Sequence, residues 1–144
     1  MRPELTTVLA RHHHDPTRLV QMLREAQDLA GWISPQVITE LAGALGLPRA
    51  RVEGVAGFYA FFSTEPRGAY RVLFSDNVTD RFLGSEALRA QLCAALQVAR
   101  GEVRGDQRVS VDTTSCTGLC DQGPALLVNG HAIGRLTPAR IDQL

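Results

Sequence analysis

The chain has 144 residues, of which 44% are hydrophobic and 21% charged, a composition typical of a soluble globular protein. Its 15 basic residues balance 15 acidic ones, which excludes the basic excess expected of a nucleic-acid-binding surface. No apolar run approaches the roughly 18 residues that cross a bilayer, and the N-terminal segment has Glu4 and no apolar core. We therefore expect neither a membrane span nor a secretory signal, and we predict a cytoplasmic protein.

The first 65 residues predict helices joined by tight turns. Asp15 and Ser34 are each followed by proline, which pairs an N-cap residue with the preferred first helical residue. Pro48 begins a third apolar stripe of helical spacing. We therefore predict a three-helix bundle at residues 1–65. The histidines at 12–14 point in different directions on a helix, so we predict a solvated face there and no metal site.

After residue 65 the pattern changes to strands alternating with helices. The turn Asn129-Gly130 is a strong hairpin signal, and Thr137-Pro138 begins a last helix. The predicted order is strand, helix, strand, loop, strand, strand and helix, at 70–74, 85–96, 109–111, 112–124, 125–128, 131–133 and from 137 onward. This order predicts an α+β domain at 66–144, with a small mixed sheet and a thioredoxin-like topology.

Two of the three cysteines lie in the loop 112–124. Cys116 and Cys120 are separated by three residues, and Gly118 between them lets the backbone bend toward a group held by the sulfurs. Iron–sulfur clusters are held by cysteine thiolates, usually four. The spacing alone also suits two ordinary loop thiols, whereas a zinc site would need two more ligands. Cys93 lies beside an apolar helical stripe, which predicts a small core residue.

Four segments of the chain together resemble one family. Residues 116–124 resemble its Cys-x-Gly-x-Cys-x-x-Gly-Pro loop, and residues 52–62 resemble its Val-x-Gly-Val-x-Thr-Phe-Tyr-x-x-Phe signature. Residues 66–70 resemble its Pro-x-Gly-x-Tyr turn, and residues 23–35 its helix ending in a Gly-Tyr-Ile-Pro-like turn. The family is the 24-kDa-type thioredoxin-like [2Fe-2S] subunit of NADH–quinone oxidoreductase (complex I). The same domain recurs in NAD-reducing hydrogenases and NAD-dependent formate dehydrogenases.

The resemblance implies an electron-transfer or accessory domain of the NADH-oxidising (diaphorase) module of a multisubunit oxidoreductase, and the residues themselves show no independent active site. It also implies a flavin-bearing partner subunit that carries FMN and NAD, and a [2Fe-2S] cluster on this chain. The family's first cysteine pair aligns, on Gly84, with Ser75 and Asp80. Two of the four cluster cysteines are therefore missing, and the metal ligands implied are Cys116, Cys120, Ser75 and Asp80.

Three states of this degenerate site remain open from the sequence. Ser75 and Asp80 ligate iron through oxygen, or the site is empty and the chain is a cluster-free docking module for the flavin-bearing subunit. In the third, two copies share one cluster between their Cys116 and Cys120 pairs, which implies a homodimer. A stand-alone thiol redox protein is a further alternative. It is disfavoured because no Lys or Arg lies in the loop to lower a thiol pKa.

Overall fold

The computed structural model describes residues 3–144. The N-terminal segment, for which no secretory signal is predicted, begins with Met1 and Arg2, and these two residues lie outside the described part of the chain. The chain divides into two compact units between Pro66 and Arg67. Within the described residues, no helix combines the length and the apolar character needed to cross a membrane.

The first unit is helical and contains the three predicted helices and one more. The helices are α1 (Pro3–Arg11), α2 (Leu19–Ala30), α3 (Pro35–Leu45) and α4 (Arg49–Phe58). Ser34 caps α3 as predicted, because its hydroxyl accepts the N–H of Val37. Helix α1 was not predicted; it buries Leu5, Val8 and Leu9, which recur at helical spacing over little more than one turn.

His12 does not lie on a solvated face, so that prediction is wrong for this residue. Its side chain is buried, and Nε2 lies 2.8 Å from Oε1 of Glu25 on α2. Packing of α1 against α2 turns His12 inward. His13 and His14 are exposed and have positive φ angles in the turn that follows.

The second unit confirms the predicted α+β class. Its strands are β1 (Tyr70–Ser75), β2 (Val109–Thr114), β3 (Leu126–Val128) and β4 (His131–Ile133). Its helices are α5 (Val78–Phe82), α6 (Ser85–Leu96) and α7 (Pro138–Ile141). The sheet order is β2-β1-β3-β4, in which β1 and β2 are parallel and the other pairs antiparallel. The sequence pattern did not predict the short helix α5.

The register of β1 against β2 brings together the two segments that follow these strands and contain Asp80, Cys116 and Cys120. Phe74 pairs with Thr113 and Leu126, and its side chain is fully buried in the core of this unit. Ser75 pairs with Thr114, so both parallel strands end at the same edge of the sheet. The segments that follow them, residues 76–80 and 115–120, therefore meet at this edge.

Candidate functional site

The thiol side of the site, Cys116 and Cys120, lies in the loop that follows β2. Both residues are exposed, and their Sγ atoms are 3.2 Å apart. Gly118 between them has φ +79°, a conformation that lets the chain reverse within this short loop. The N–H of Gly118 points at Cys116 Sγ at 3.4 Å, and a short 3₁₀ turn begins at Cys120.

The local hydrogen bonds shift the pKa values of the two thiols in opposite directions. The N–H of Gly118, and then the hydrogen bond with Cys120, lower the pKa of Cys116. The pKa of Cys120 is raised, first because it shares that hydrogen bond with Cys116 and then by desolvation. A backbone N–H therefore lowers the pKa of this thiol, although the loop contains no Lys or Arg side chain that could do so.

The oxygen side of the site, Ser75 and Asp80, lies at the end of β1 and on α5. Each of these two residues is only 1% exposed. Asn77 lies between them: its side-chain amide nitrogen Nδ2 donates to Ser75 Oγ at 3.1 Å and to Asp80 Oδ2 at 2.6 Å. The carbonyl oxygen of the same side chain accepts the N–H of Asp80 at 2.9 Å and so caps α5. One asparagine therefore closes the oxygen side into a hydrogen-bonded network.

The thiol side and the oxygen side are neighbours in the structure. The N–H of Thr117 donates to Ser75 Oγ at 3.4 Å, which ties the thiol loop to the end of β1. The negative charge of Asp80 acts on both thiols and opposes their ionisation, which contributes a raising effect to the pKa of each. Asp80 Oδ1 is buried, has no hydrogen-bond partner among residues 3–144, and lies against the backbone of Gly123.

These four side chains do not fit a [2Fe-2S] cluster. A cluster needs two ligands on each iron, and the thiols can supply one such pair. Ser75 Oγ already accepts hydrogen bonds from Asn77 and Thr117, and Asp80 Oδ2 accepts another from Asn77. The other carboxylate oxygen of Asp80 is buried against backbone. Within the described part of the chain, no three His, Cys, Asp or Glu side chains are grouped to hold a metal ion.

Sequence reasoning missed Asn77. The signal was present, because Asn followed three residues later by an acidic residue is a helix-start pattern. Cys93 lies where the sequence placed it: it is half-buried on α6 and packs against the core of the second unit. Burial raises the pKa of the Cys93 thiol, which separates it chemically from Cys116.

Comparisons with known proteins relate almost the whole chain to one family. The family model described as thioredoxin-like [2Fe-2S] ferredoxin matches residues 5–144. An NADH-quinone oxidoreductase subunit of Rhizobium meliloti is 34% identical over 144 residues, which cover 100% of this chain and 86% of that protein. The NAD-reducing hydrogenase HoxS subunit alpha of Cupriavidus necator is 32% identical, and the match covers 100% of this chain and 24% of that protein.

A solved structure supports the same relationship in three dimensions. A crystal structure of NAD+-reducing [NiFe]-hydrogenase in the air-oxidized state superposes with a TM-score of 0.75 and 39% sequence identity. The match covers 88% of this chain and 22% of the hydrogenase chain. The chain therefore spans most of the Rhizobium meliloti protein but about a quarter or less of the two hydrogenase chains.

Proposed function

The chain belongs to the thioredoxin-like [2Fe-2S] ferredoxin family, and we propose that it is an accessory domain of a multisubunit NADH-oxidising oxidoreductase. Its relatives are named as subunits of NADH-quinone oxidoreductase and of NAD-reducing hydrogenase. By this proposal FMN and NAD are bound by a flavin-bearing partner subunit, and substrate turnover takes place there. The helical segment 1–65 and the ferredoxin segment 66–144 stay a predicted pair of domains.

We propose further that the chain works as a cluster-free docking module for the flavin-bearing subunit. The single observation behind this choice is the Asn77 side chain, which donates to both Ser75 and Asp80. An amide nitrogen between two buried oxygens satisfies them without a metal. Releasing Ser75 and Asp80 to ligate iron would break these hydrogen bonds inside a buried site, where an unmade hydrogen bond is costly.

Electron transfer through a cluster is the second candidate function. It is favoured by the exposed Cys116 and Cys120 thiols, whose Sγ atoms lie 3.2 Å apart at the position of one family ligand pair. This candidate requires ligands from elsewhere for the second iron. A second copy of the chain would supply them through its own Cys116 and Cys120, which makes a homodimer part of this candidate.

The experiment uses the full chain, produced anaerobically with iron–sulfur assembly support and with the flavin-bearing NADH-oxidising subunit. Iron, acid-labile sulfide and the visible spectrum are measured on the purified chain, and co-purification reports docking. The docking proposal predicts that the two chains co-purify, and that this chain purified by itself contains no iron and shows no visible bands. About two irons per chain would support electron transfer by a single chain, and about two irons per pair of chains would support the shared cluster.

Two variants assign any iron that is found. Iron held at this site must be lost in Cys116→Ala, which removes the ligand atom, and kept in Cys93→Ala, because Cys93 is half-buried on α6 and packs against the core of the second unit. Iron that stays in both variants is adventitious and leaves the docking proposal standing. Failure of the iron-free chain to bind the flavin-bearing subunit would overturn the docking proposal itself.

A further inference from the structure

We propose that Cys116 and Cys120 form a reversible dithiol–disulfide couple that exchanges with low-molecular-weight disulfides of the glutathione type. The inference goes beyond docking and rests on the cluster-free form of the proposed function, because thiolates bound to iron would not be available. It assigns a chemistry to two exposed thiols that the docking role leaves unused.

The geometry of the pair suits a direct bond. The two Sγ atoms are 3.2 Å apart, whereas a disulfide needs about 2.05 Å, so the sulfurs must approach by only about 1 Å. Gly118 lies between them, and a Cβ built at this glycine would meet no atom within 4 Å, so the loop has open space around it. A small adjustment of the two side chains and of this loop closes the distance.

The surroundings hold the two thiols together without a metal. The N–H of Thr117 donates to Ser75 Oγ at 3.4 Å, and the N–H of Gly118 points at Cys116 Sγ at 3.4 Å. On the other side, the carbonyl of Gln122 accepts the N–H of Arg135 and ties the end of the 3₁₀ turn to the residues after β4. The loop is thus anchored between the two cysteines and again after them, which keeps the sulfurs close in the reduced state.

The exchange balances without any group that the proposal does not name. One cysteine thiolate attacks a sulfur of the small disulfide; the old S–S bond breaks, and one small thiol leaves with a proton. The second cysteine thiolate then attacks the cysteine sulfur of the mixed disulfide and releases the second small thiol. Two electrons and two protons pass from Cys116 and Cys120 to the small disulfide, and the reverse reaction restores both thiols.

Exposure makes this chemistry selective for the loop. Cys116 and Cys120 are exposed, so a small disulfide reaches either sulfur from solvent. Cys93 is half-buried against the core of the second unit, with Leu88 and Leu92 of the same helix. It is therefore less accessible to a small disulfide than the two loop cysteines, and the test removes it so that only Cys116 and Cys120 can react.

The test uses the full chain carrying Cys93→Ser, equilibrated in mixtures of reduced and oxidised glutathione, quenched by alkylation and weighed by mass spectrometry. We expect a species lighter by two hydrogen atoms, which dithiothreitol reverses. The ratio of disulfide to dithiol protein should rise about tenfold for each tenfold rise in [GSSG]/[GSH]². With Cys120→Ser added, the internal disulfide must disappear and one glutathione must stay attached to Cys116.

The proposal is overturned if the Cys93→Ser chain stays reduced, or collects glutathione on both cysteines without an internal disulfide. Iron content and co-purification with the flavin-bearing subunit are measured on the same preparation. Iron lost on Cys116→Ala would mean that the cluster-free form has failed, and this inference with it. An iron-free, docking-competent chain without the internal disulfide would overturn this inference alone.

Discussion

The thiol side and the oxygen side of the site begin at the ends of two paired parallel strands, yet they differ in burial and in bonding. Cys116 and Cys120 are exposed and contact each other, whereas Ser75 and Asp80 are each 1% exposed and share one Asn77 amide. Buried polar side chains such as Ser75 and Asp80 need a hydrogen-bond donor in place of water, and Asn77 supplies it. The thiol pair faces solvent, where small reagents can reach both sulfurs.

The largest effect is expected from making the oxygen side match the thiol side. We expect Ser75→Cys combined with Asp80→Cys to gain about two irons per chain, with acid-labile sulfide and visible charge-transfer absorption, because four thiolates complete the ligand set. Anaerobic production followed by iron and sulfide analysis measures this gain. The same double variant carrying Cys116→Ala should lose it. A folded double variant without iron would mean that these two positions do not explain the missing ligands.

Removing the Asn77 side chain should open the oxygen side. Asn77→Ala takes away the cap of α5 and the donor that satisfies two buried oxygens, so we expect the free energy of unfolding to fall by about 2–4 kcal/mol. Urea unfolding followed by circular dichroism measures it. Thr137→Ala is the matched control: this exposed residue only caps α7, through the N–H of Arg140, and should cost about 1 kcal/mol. Equal losses would contradict a bridging role for Asn77.

Gly123 tests how tightly Asp80 is packed. A Cβ at residue 123 would overlap Asp80 Oδ1 and lie 3.2 Å from Leu83 Cδ1, so Gly123→Ala should cost about 1–3 kcal/mol of stability. In an Asp80→Ala background the cost should shrink, because the overlapping oxygen is gone; thermal unfolding of all four proteins gives the coupling. Gly105→Ala, where a Cβ meets no atom within 4 Å, should be nearly neutral.

The smallest effect on stability is expected from the exposed ion pair of Asp76 and Arg81, which lies in the segment that follows β1. Asp76 Oδ1 accepts from Arg81 at 2.6 Å, and this guanidinium lowers the pKa of Asp76. Because Arg81 is 56% exposed, Asp76→Asn should cost at most about 1 kcal/mol at neutral pH. A lowered folded-state pKa means that this stabilisation is present above the unfolded pKa of Asp, about 3.9, and is lost as pH falls through the folded value.

Urea unfolding of the wild type and Asp76→Asn at several pH values tests this direction. The free energies of unfolding of the two proteins should differ most at neutral pH and become equal in acid. Added salt should reduce the difference at neutral pH. A difference that grows toward acid pH would contradict the assignment of the stabilisation to the ionised carboxylate. The comparison also sets an exposed charge pair against the buried Asn77 network on the same loop.

Local patterns account for most of what could be predicted. Helix α3 followed from Ser34 and the proline after it, and the β3–β4 hairpin from Asn129 and Gly130, because caps and turns depend on a few neighbouring residues. Helices α1 and α5 were not predicted because neither begins with an N-cap residue followed by proline, the signal that predicted α3 and α7. His12 was predicted to be exposed because nothing local reveals that α1 packs against α2.

The sequence by itself determined the family, the α+β class and the Cys116 and Cys120 pair, since motif spacing and periodicity are properties of the chain alone. Only the tertiary structure decided the burial and the hydrogen bonding of Ser75 and Asp80. Their burial depends on β1 and β2 ending in register at one sheet edge, and their hydrogen bonds depend on Asn77 starting a helix there. The sequence alone shows which residue types could ligate a metal. Whether a buried oxygen has a hydrogen-bond partner depends on which donor the fold brings to it.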